Sequence, residues 1–334
     1  VNIKEQRMEN IHKVLSKLFE EIFSEIPKEI NSITGGVSDR KIYRLISDNH
    51  TSIGIYNKKI KENIAFIEFT KTFRKHNLNV PEIYIKSSDS KFYLEEDLGN
   101  KSLFNVIIEK KIPRSFILSL FEKTLKDLVK FQVAGKDDIN YSYCYETKNF
   151  DKYQVEYDFN KFWKYYYLKF VKNSTGKKIK SKTLDFLTDK LMNKSKKLFM
   201  YRDFQPRNVM VRNNMLYYID YQSGRKGSPE YDVASLLFSG SHDLTCEERH
   251  YLLNFYIKEL RKKISYNKNE FIYNYYYFVI IRLLQVLGSY GYSFFRKKDN
   301  NMLLKMRKAK INIRSILPKI KDEVLREFLM IVSE

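Results

Sequence analysis

The chain has 334 residues, 43% hydrophobic and 30% charged, with 61 Lys and Arg against 40 Asp and Glu for a formal net charge of +21. That length exceeds what one core comfortably fills and suits two lobes, while the composition is that of a globular chain and excludes a disordered one. Two cysteines, Cys144 and Cys246, stand far apart without a CxxC spacing, which argues against a zinc ribbon or a disulfide framework.

The positive charge is spread in doublets such as Lys58-Lys59 and Lys177-Lys178 and forms no single stripe. With only 11 Gly and 6 Pro and many Asn, Ile and Tyr, it reads as the codon bias of an A- and T-rich genome and argues for no nucleic-acid partner. The best apolar run, 278–287, is interrupted by Arg282 and Gln285 and falls short of the about 18 residues a membrane helix needs, so it predicts a buried helix and no membrane partner. Charges at the N-terminus occupy the place of a signal peptide's apolar region, so the expected location is cytoplasmic.

In chain order, Ile11, Val14, Leu15, Leu18, Phe19 and Ile22 recur at helical spacing and predict an amphipathic helical extension over 1–28. Short β-type runs at 41–46, 52–56, 82–85 and 91–94, with a helix over 61–76, predict an antiparallel sheet with one helix in a lobe spanning 29–98. Helices are then expected at 113–133, 159–171, 182–196, 246–263, 268–288 and 302–311, making 99–334 a mainly helical lobe. The tyrosine-rich stretches 141–167 and 273–277 read as core.

Chemistry concentrates in Tyr201-Arg202-Asp203-Phe204-Gln205-Pro206-Arg207-Asn208, a strand-like 209–211, and then Ile219-Asp220-Tyr221. Phosphoryl transfer needs an aligned acceptor hydroxyl, a carboxylate to take its proton, and Mg²⁺ between oxygen ligands. Asp203 supplies the base; Asn208 and Asp220 supply the hard oxygen donors that Mg²⁺ prefers. Arg202 and Arg207 flank the base and would steady a phosphate or hold Asp232, which itself reads as a helix cap or a loop anchor.

These segments resemble the catalytic and metal loops of the aminoglycoside phosphotransferase and choline kinase-like superfamily. Within it, YRDFQPRNVMV (201–211), IDYQSGRKGSPEYDVASLL (219–237) and GGVSDRKIYRL (35–45) are similar to bacterial kinases of the anomeric hydroxyl of N-acetylmuramate or N-acetylglucosamine. The resemblance covers roughly residues 30–310 and implies an α+β, protein-kinase-like two-lobed fold, ATP, Mg²⁺ and a small-molecule hydroxyl acceptor. It places Gly35, Gly36 and Ser38 over the nucleotide phosphates and the backbone of Glu96 and Leu98 at the adenine edge, although Glu95 to Asp97 also reads as an acidic turn. On the acceptor side it places Gln222, Arg225 and Glu230, with Glu156 and Asp158 in a capping region.

Two departures stand out. Tyr56 takes the place where many kinases have a phosphate-pairing lysine, leaving Glu62 without its usual partner unless Lys58, Lys59 or Arg40 supplies the charge. Tyr201 and Gln205 replace histidines that are common around the base. The function this implies is phosphorylation of a sugar or amino sugar, with an aminoglycoside or other small-molecule kinase as one alternative and an inactive nucleotide-sensing module as another. Only eleven residues separate Asp220 from Asp232 and no Ala-Pro-Glu occurs, which leaves no room for a protein kinase's activation loop.

Overall fold

The structure, a computed structural model, describes residues 3–33, 40–109, 111–171, 176–192 and 197–334. In chain order it runs α1 (Ile3–Phe23), β1 (Glu29–Ile33), β2 (Lys41–Ile46), β3 (Thr51–Tyr56), α2 (Ile60–Lys75), β4 (Ile83–Lys86), β5 (Phe92–Glu96), α3 (Leu103–Ile108) and α4 (Arg114–Asp138). Next come α5 (Lys152–Phe162), a π turn (Trp163–Tyr167), α6 (Leu168–Phe170), α7 (Gly176–Met192), β6 (Leu198–Met200), β7 (Val209–Arg212), β8 (Met215–Tyr218) and β9 (Arg225–Gly227). The chain ends with α8 (Glu230–Leu237), α9 (Cys246–Arg261), α10 (Lys268–Lys297), α11 (Asn301–Ile316) and α12 (Glu323–Ser333).

Two compact units result, each assembled from separate stretches of chain: Val1–Asn105 with Asp137–Lys148 and Arg207–Gly224, and Val106–Lys136 with Asn149–Pro206 and Arg225–Glu334. The first is built on a five-stranded antiparallel sheet in the order β1-β2-β3-β5-β4. Ile11, Leu15, Leu18 and Phe19 of α1 bury themselves against Tyr43, Leu45 and Leu94, as their spacing predicts. Ile22, at the same spacing but at the end of the helix, stays exposed. Close approach of α1 needs Gly54 in β3, because a Cβ there would stand 2.7 Å from Leu45 Cδ1 and 3.0 Å from Leu15 Cδ2. The strand run 52–56 and the helix run 61–76 thus form with only small shifts, while β1, whose residues alternate poorly, was not legible.

The second unit is organised around α10, which packs on α5, the π turn, α7, α8 and α11. Expected to stop at Gly288, this helix continues to Lys297. Glycine here marks contact and not termination: a Cβ on Gly288 would meet Phe162 N at 2.6 Å, and one on Gly291 would meet the Tyr165 carbonyl oxygen at 2.1 Å. By length and composition alone α10 would also cross a membrane, yet most of its apolar window is buried within the unit. The neighbouring α5 starts earlier than its apolar period suggests, since Asp151 caps it by accepting the Gln154 N–H at 3.1 Å. Tyr166, Tyr167, Tyr275 and Tyr277 are core residues as expected, whereas Tyr153 and Tyr157 face solvent.

Leu15 has no solvent exposure and ties α1 to the sheet. Leu15→Ala is therefore expected to cost about 2–5 kcal/mol of stability. The measurement is urea unfolding, where the midpoint should fall at an unchanged slope; an unmoved midpoint would show that α1 contributes nothing to the core.

Candidate active site

The first unit brings Asn208 and Asp220 together by a hairpin. β7 and β8 pair from Val209↔Tyr218 to Arg212↔Met215, and the two-residue turn is Asn213-Asn214, both at positive φ (50° and 59°), the type I′ geometry that matches strand twist. One more backbone bond, Ile219 N–H to the Asn208 carbonyl at 3.1 Å, carries the pairing to the residues flanking the hairpin. Asn208 Nδ2 then donates to Asp220 Oδ2 at 3.3 Å. Asp220 itself has φ +70°, a left-handed conformation that Asp tolerates better than most side chains and that ends the strand. Tyr221 follows, fully buried, with its ring stacked 4.7 Å from Phe66 and its hydroxyl bonded to Thr70 Oγ1, so α2 clamps this strand end.

Arg40 joins this cluster in the first unit. Register pairs Lys41 with Tyr56, so Arg40 lies one residue beyond the end of β3 where a lysine was missed. Its Nη2 donates to Asp220 Oδ1 at 2.5 Å and its Nε lies 3.5 Å from Glu62 Oε1. Glu62, whose other oxygen accepts from Asn57 at 3.1 Å, therefore does have a cationic partner. Burial works against the Arg40 charge, but Asp220, Tyr93 and Glu62 hold its pKa above the usual arginine value. Gln222 Nε2 also donates to Asp220 Oδ1, at 2.8 Å, while its Oε1 is buried with no hydrogen-bond partner.

Glu95 to Asp97 is not a surface turn. Glu95 lies within β5, half-buried with its Oε2 shielded from solvent, and Asp97 pairs with Arg44 at 2.7 Å. Glu96 donates its N–H to the Glu82 carbonyl and takes Arg212 on its carboxylate at 2.5 Å; Leu98 is buried, and Gly99 turns the chain at φ +80°. Gly35, Gly36 and Ser38 lie outside the described residues.

In the second unit, β6 pairs with β9 and delivers the chain into Tyr201-Arg202-Asp203. Arg202 has φ +79°, a conformation that a non-glycine residue keeps only when its surroundings impose it. Asp232 imposes it: its carboxylate accepts the N–H groups of Tyr201 and Arg202, each at 2.8 Å, and Gln132 Nε2 at 3.2 Å. Burial pushes this carboxyl up to about 7 while the three hydrogen bonds pull it down. Of the two readings of Asp232, the loop anchor holds and the cap does not, because α8 begins at Pro229 without a side-chain cap and Asp232 lies inside its first turn. Arg202 meets Asp232 through its backbone; its guanidinium instead faces both oxygens of Asp158 at 3.3 and 3.4 Å.

Asp203 is 35% exposed, and its Oδ1 lies 3.6 Å from Arg282 Nη2. Arg282 is the residue that sequence reasoning missed, having counted it only as an interruption of an apolar helix. That interruption was the available signal. Asp158 and Arg225 are each 1% exposed and engage internal partners, Arg202 and Gln154 respectively. Glu156 lies 3.6 Å from Lys152 on the same helix, and Glu230 accepts from Ser228 and Tyr266.

Residues 29–265 match the phosphotransferase enzyme family (APH). Over 167 residues the chain is 26% identical to an N-acetylmuramate/N-acetylglucosamine kinase of Neisseria meningitidis serogroup B (strain ATCC BAA-335 / MC58), covering 48% of this chain and 46% of that protein. The aligned stretch thus spans about half the length of that relative. Among solved structures, an amicoumacin kinase bound to AMP-PNP, Ca²⁺ and Ami superposes with a TM-score of 0.65 at 10% identity, covering 92% of this chain and 95% of that one. Choline kinase LicA from Streptococcus pneumoniae gives 0.60 at 14% identity, covering 90% and 97%. The ADP-bound aminoglycoside phosphotransferase APH(2'')-Ib gives 0.60 at 15%, covering 97% and 98%. Such likenesses show the fold: α+β and protein-kinase-like, with a β-rich N-terminal lobe and a mainly helical C-terminal lobe.

Glu95 makes the first unit sensitive to pH. Burial, with Asp220, Asp97 and Glu96 adding and Arg40 opposing, raises its carboxyl from 4.5 to about 8. Between those values the folded protein holds a proton that the unfolded chain has released, so stability is lost as pH rises through the window. Glu95→Gln removes this dependence. Melting temperatures measured across pH 5–8 should show wild type losing ground to Glu95→Gln as pH rises, and a constant difference would contradict the burial argument.

Proposed function

The chain belongs to the phosphotransferase enzyme family, and on that premise we propose that it transfers the γ-phosphoryl group of ATP to a hydroxyl of a small molecule, a sugar or amino sugar. The observation that carries the reading is the convergence of Asn208, Gln222 and Arg40 on the Asp220 carboxylate. A hard-oxygen pair is what a nucleotide-bound Mg²⁺ needs, and a cation beside it suits the charge of the phosphates. Among the described residues no cluster of three or more His, Cys, Asp or Glu is present, so a metal held by Asp220 and Asn208 would complete its shell with phosphate and water oxygens, as Mg²⁺ commonly does. When bound, Mg²⁺ would neutralise charge on the phosphate oxygens.

In this scheme Asp203 accepts the proton of the acceptor hydroxyl as its oxygen bonds to phosphorus and ADP departs. Gly35, Gly36 and Ser38 would lie over the phosphates, and the backbone of Glu96 and Leu98 would meet the adenine edge. Gln222 would present its unpartnered Oε1 as an acceptor for a substrate hydroxyl; the resemblance also assigns Arg225, Glu156 and Asp158 to that side. The sugar assignment rests on motif resemblance and on the partial match to an amino-sugar kinase. ATP as phosphoryl donor suits a cytoplasmic setting. With Arg40 beside Glu62 and Asp220, Tyr56 no longer favours an inactive nucleotide-sensing module.

The test is acceptor-dependent ADP release over amino sugars, neutral sugars, aminoglycosides, choline and nucleosides, with the product located by NMR. Asp203→Asn should lower kcat by about a hundredfold or more at nearly unchanged ATP Kd, since a general base acts in the transition state. Asp220→Ala should abolish Mg²⁺-dependent turnover in a protein that still folds. Near-wild-type turnover by Asp203→Asn would place the base elsewhere.

A further inference from the structure

A guanidinium in the middle of an apolar helix is costly to bury unless its charge and its donors are met. Arg282 is 7% exposed. Its Nη1 donates to Gln285 Oε1, three residues on, at 2.8 Å and to the Tyr231 hydroxyl at 3.4 Å. Its Nη2 faces Asp203 at 3.6 Å, the carboxylate with which it forms an ion pair among the described residues.

The surroundings make that pairing selective. Tyr231 presents its ring to two guanidiniums, Arg282 at 5.8 Å and Arg202 at 6.0 Å. Arg202 answers Asp158, and Asp232 answers two backbone amides. Tyr290 of the same helix acts on Arg282 electrostatically, and Lys305 of α11 lines the same small cavity. Asp203 thus faces a cation carried by α10, although the aspartate itself sits on a loop.

We infer that Arg282 is a positioning residue for Asp203, holding that carboxylate ionised and in place; the role rests on the reading of Asp203 as the base. An opposite charge at this range favours the ionised carboxylate and typically lowers its pKa by about 1–3.

The experiment reads the carboxyl directly and needs no turnover. Protein carrying ¹³C-labelled aspartate is titrated by NMR, with the Asp203 signal identified by its loss in Asp203→Asn. In Arg282→Gln the Asp203 midpoint should rise by about one pH unit or more, and Arg282→Lys should fall between. In the kinetic arm, Arg282→Gln should lower kcat at least about tenfold at constant ATP Kd and shift the acid limb of the kcat–pH profile upward, with partial rescue by lysine. Circular dichroism and melting identify a variant that fails to fold, for which Arg282→Lys carries the comparison. An unmoved Asp203 midpoint overturns the pairing, and a moved midpoint with kcat within twofold of wild type overturns the positioning role. If the wild type releases no ADP with any acceptor, the kinase reading falls, and with it the catalytic role, while the titration still decides the pairing.

Discussion

The carboxylate of Asp232 accepts two successive backbone N–H groups, those of Tyr201 and Arg202, from a site with no solvent contact. Backbone donors buried without an acceptor cost about 1–3 kcal/mol each, so this one side chain settles the path of the loop that carries Asp203. It permits the left-handed Arg202, whose guanidinium is then available to Asp158. The helix beginning at Pro229 supplies the anchor, and β9 just before it supplies the partner strand for β6. A short segment after Asp220 therefore shapes the loop before it.

The first unit meets a different constraint, the placement of one positive charge. Tyr56 packs against Phe92 at the end of β3 and carries no charge for Glu62. Strand pairing makes the replacement local, because the residue preceding the partner of Tyr56 is Arg40. Arginine suits this position because its fork reaches Asp220 and Glu62 from different nitrogens, which an ammonium on a shorter span does less well. Arg40 and Glu62 are largely withdrawn from water and Asp220 partly so, which strengthens the attraction between their charges.

The residues proposed for the acceptor side differ in their partners. Asp158 and Arg225 meet Arg202 and Gln154 inside the second unit. Gln222 is arranged differently, its nitrogen committed to Asp220 and its oxygen buried without a partner. In the proposed reaction that oxygen would accept from a substrate hydroxyl.

Local sequence determined a good deal. The 3.6-residue period of α1, the β runs at 41–46 and 52–56, and the Asp-x4-Asn spacing before a strand and Ile-Asp-Tyr were enough for a β-rich stretch followed by a helical one and for Asp203, Asn208 and Asp220 as candidates, because backbone periodicity and short-range chemistry are written in adjacent residues; the protein-kinase-like fold class came from the family resemblance. Tertiary structure alone decided the rest. Gly288 looks like a helix stop but, like Gly291, is a contact point, Asp232 looks like a cap but anchors a loop, and Asp158 pairs with Arg202. Arg40 reaches Asp220 across 180 positions, and Arg282 reaches Asp203 across 79. Partnerships at such separations depend on which elements pack together, and no periodicity in either segment records the other.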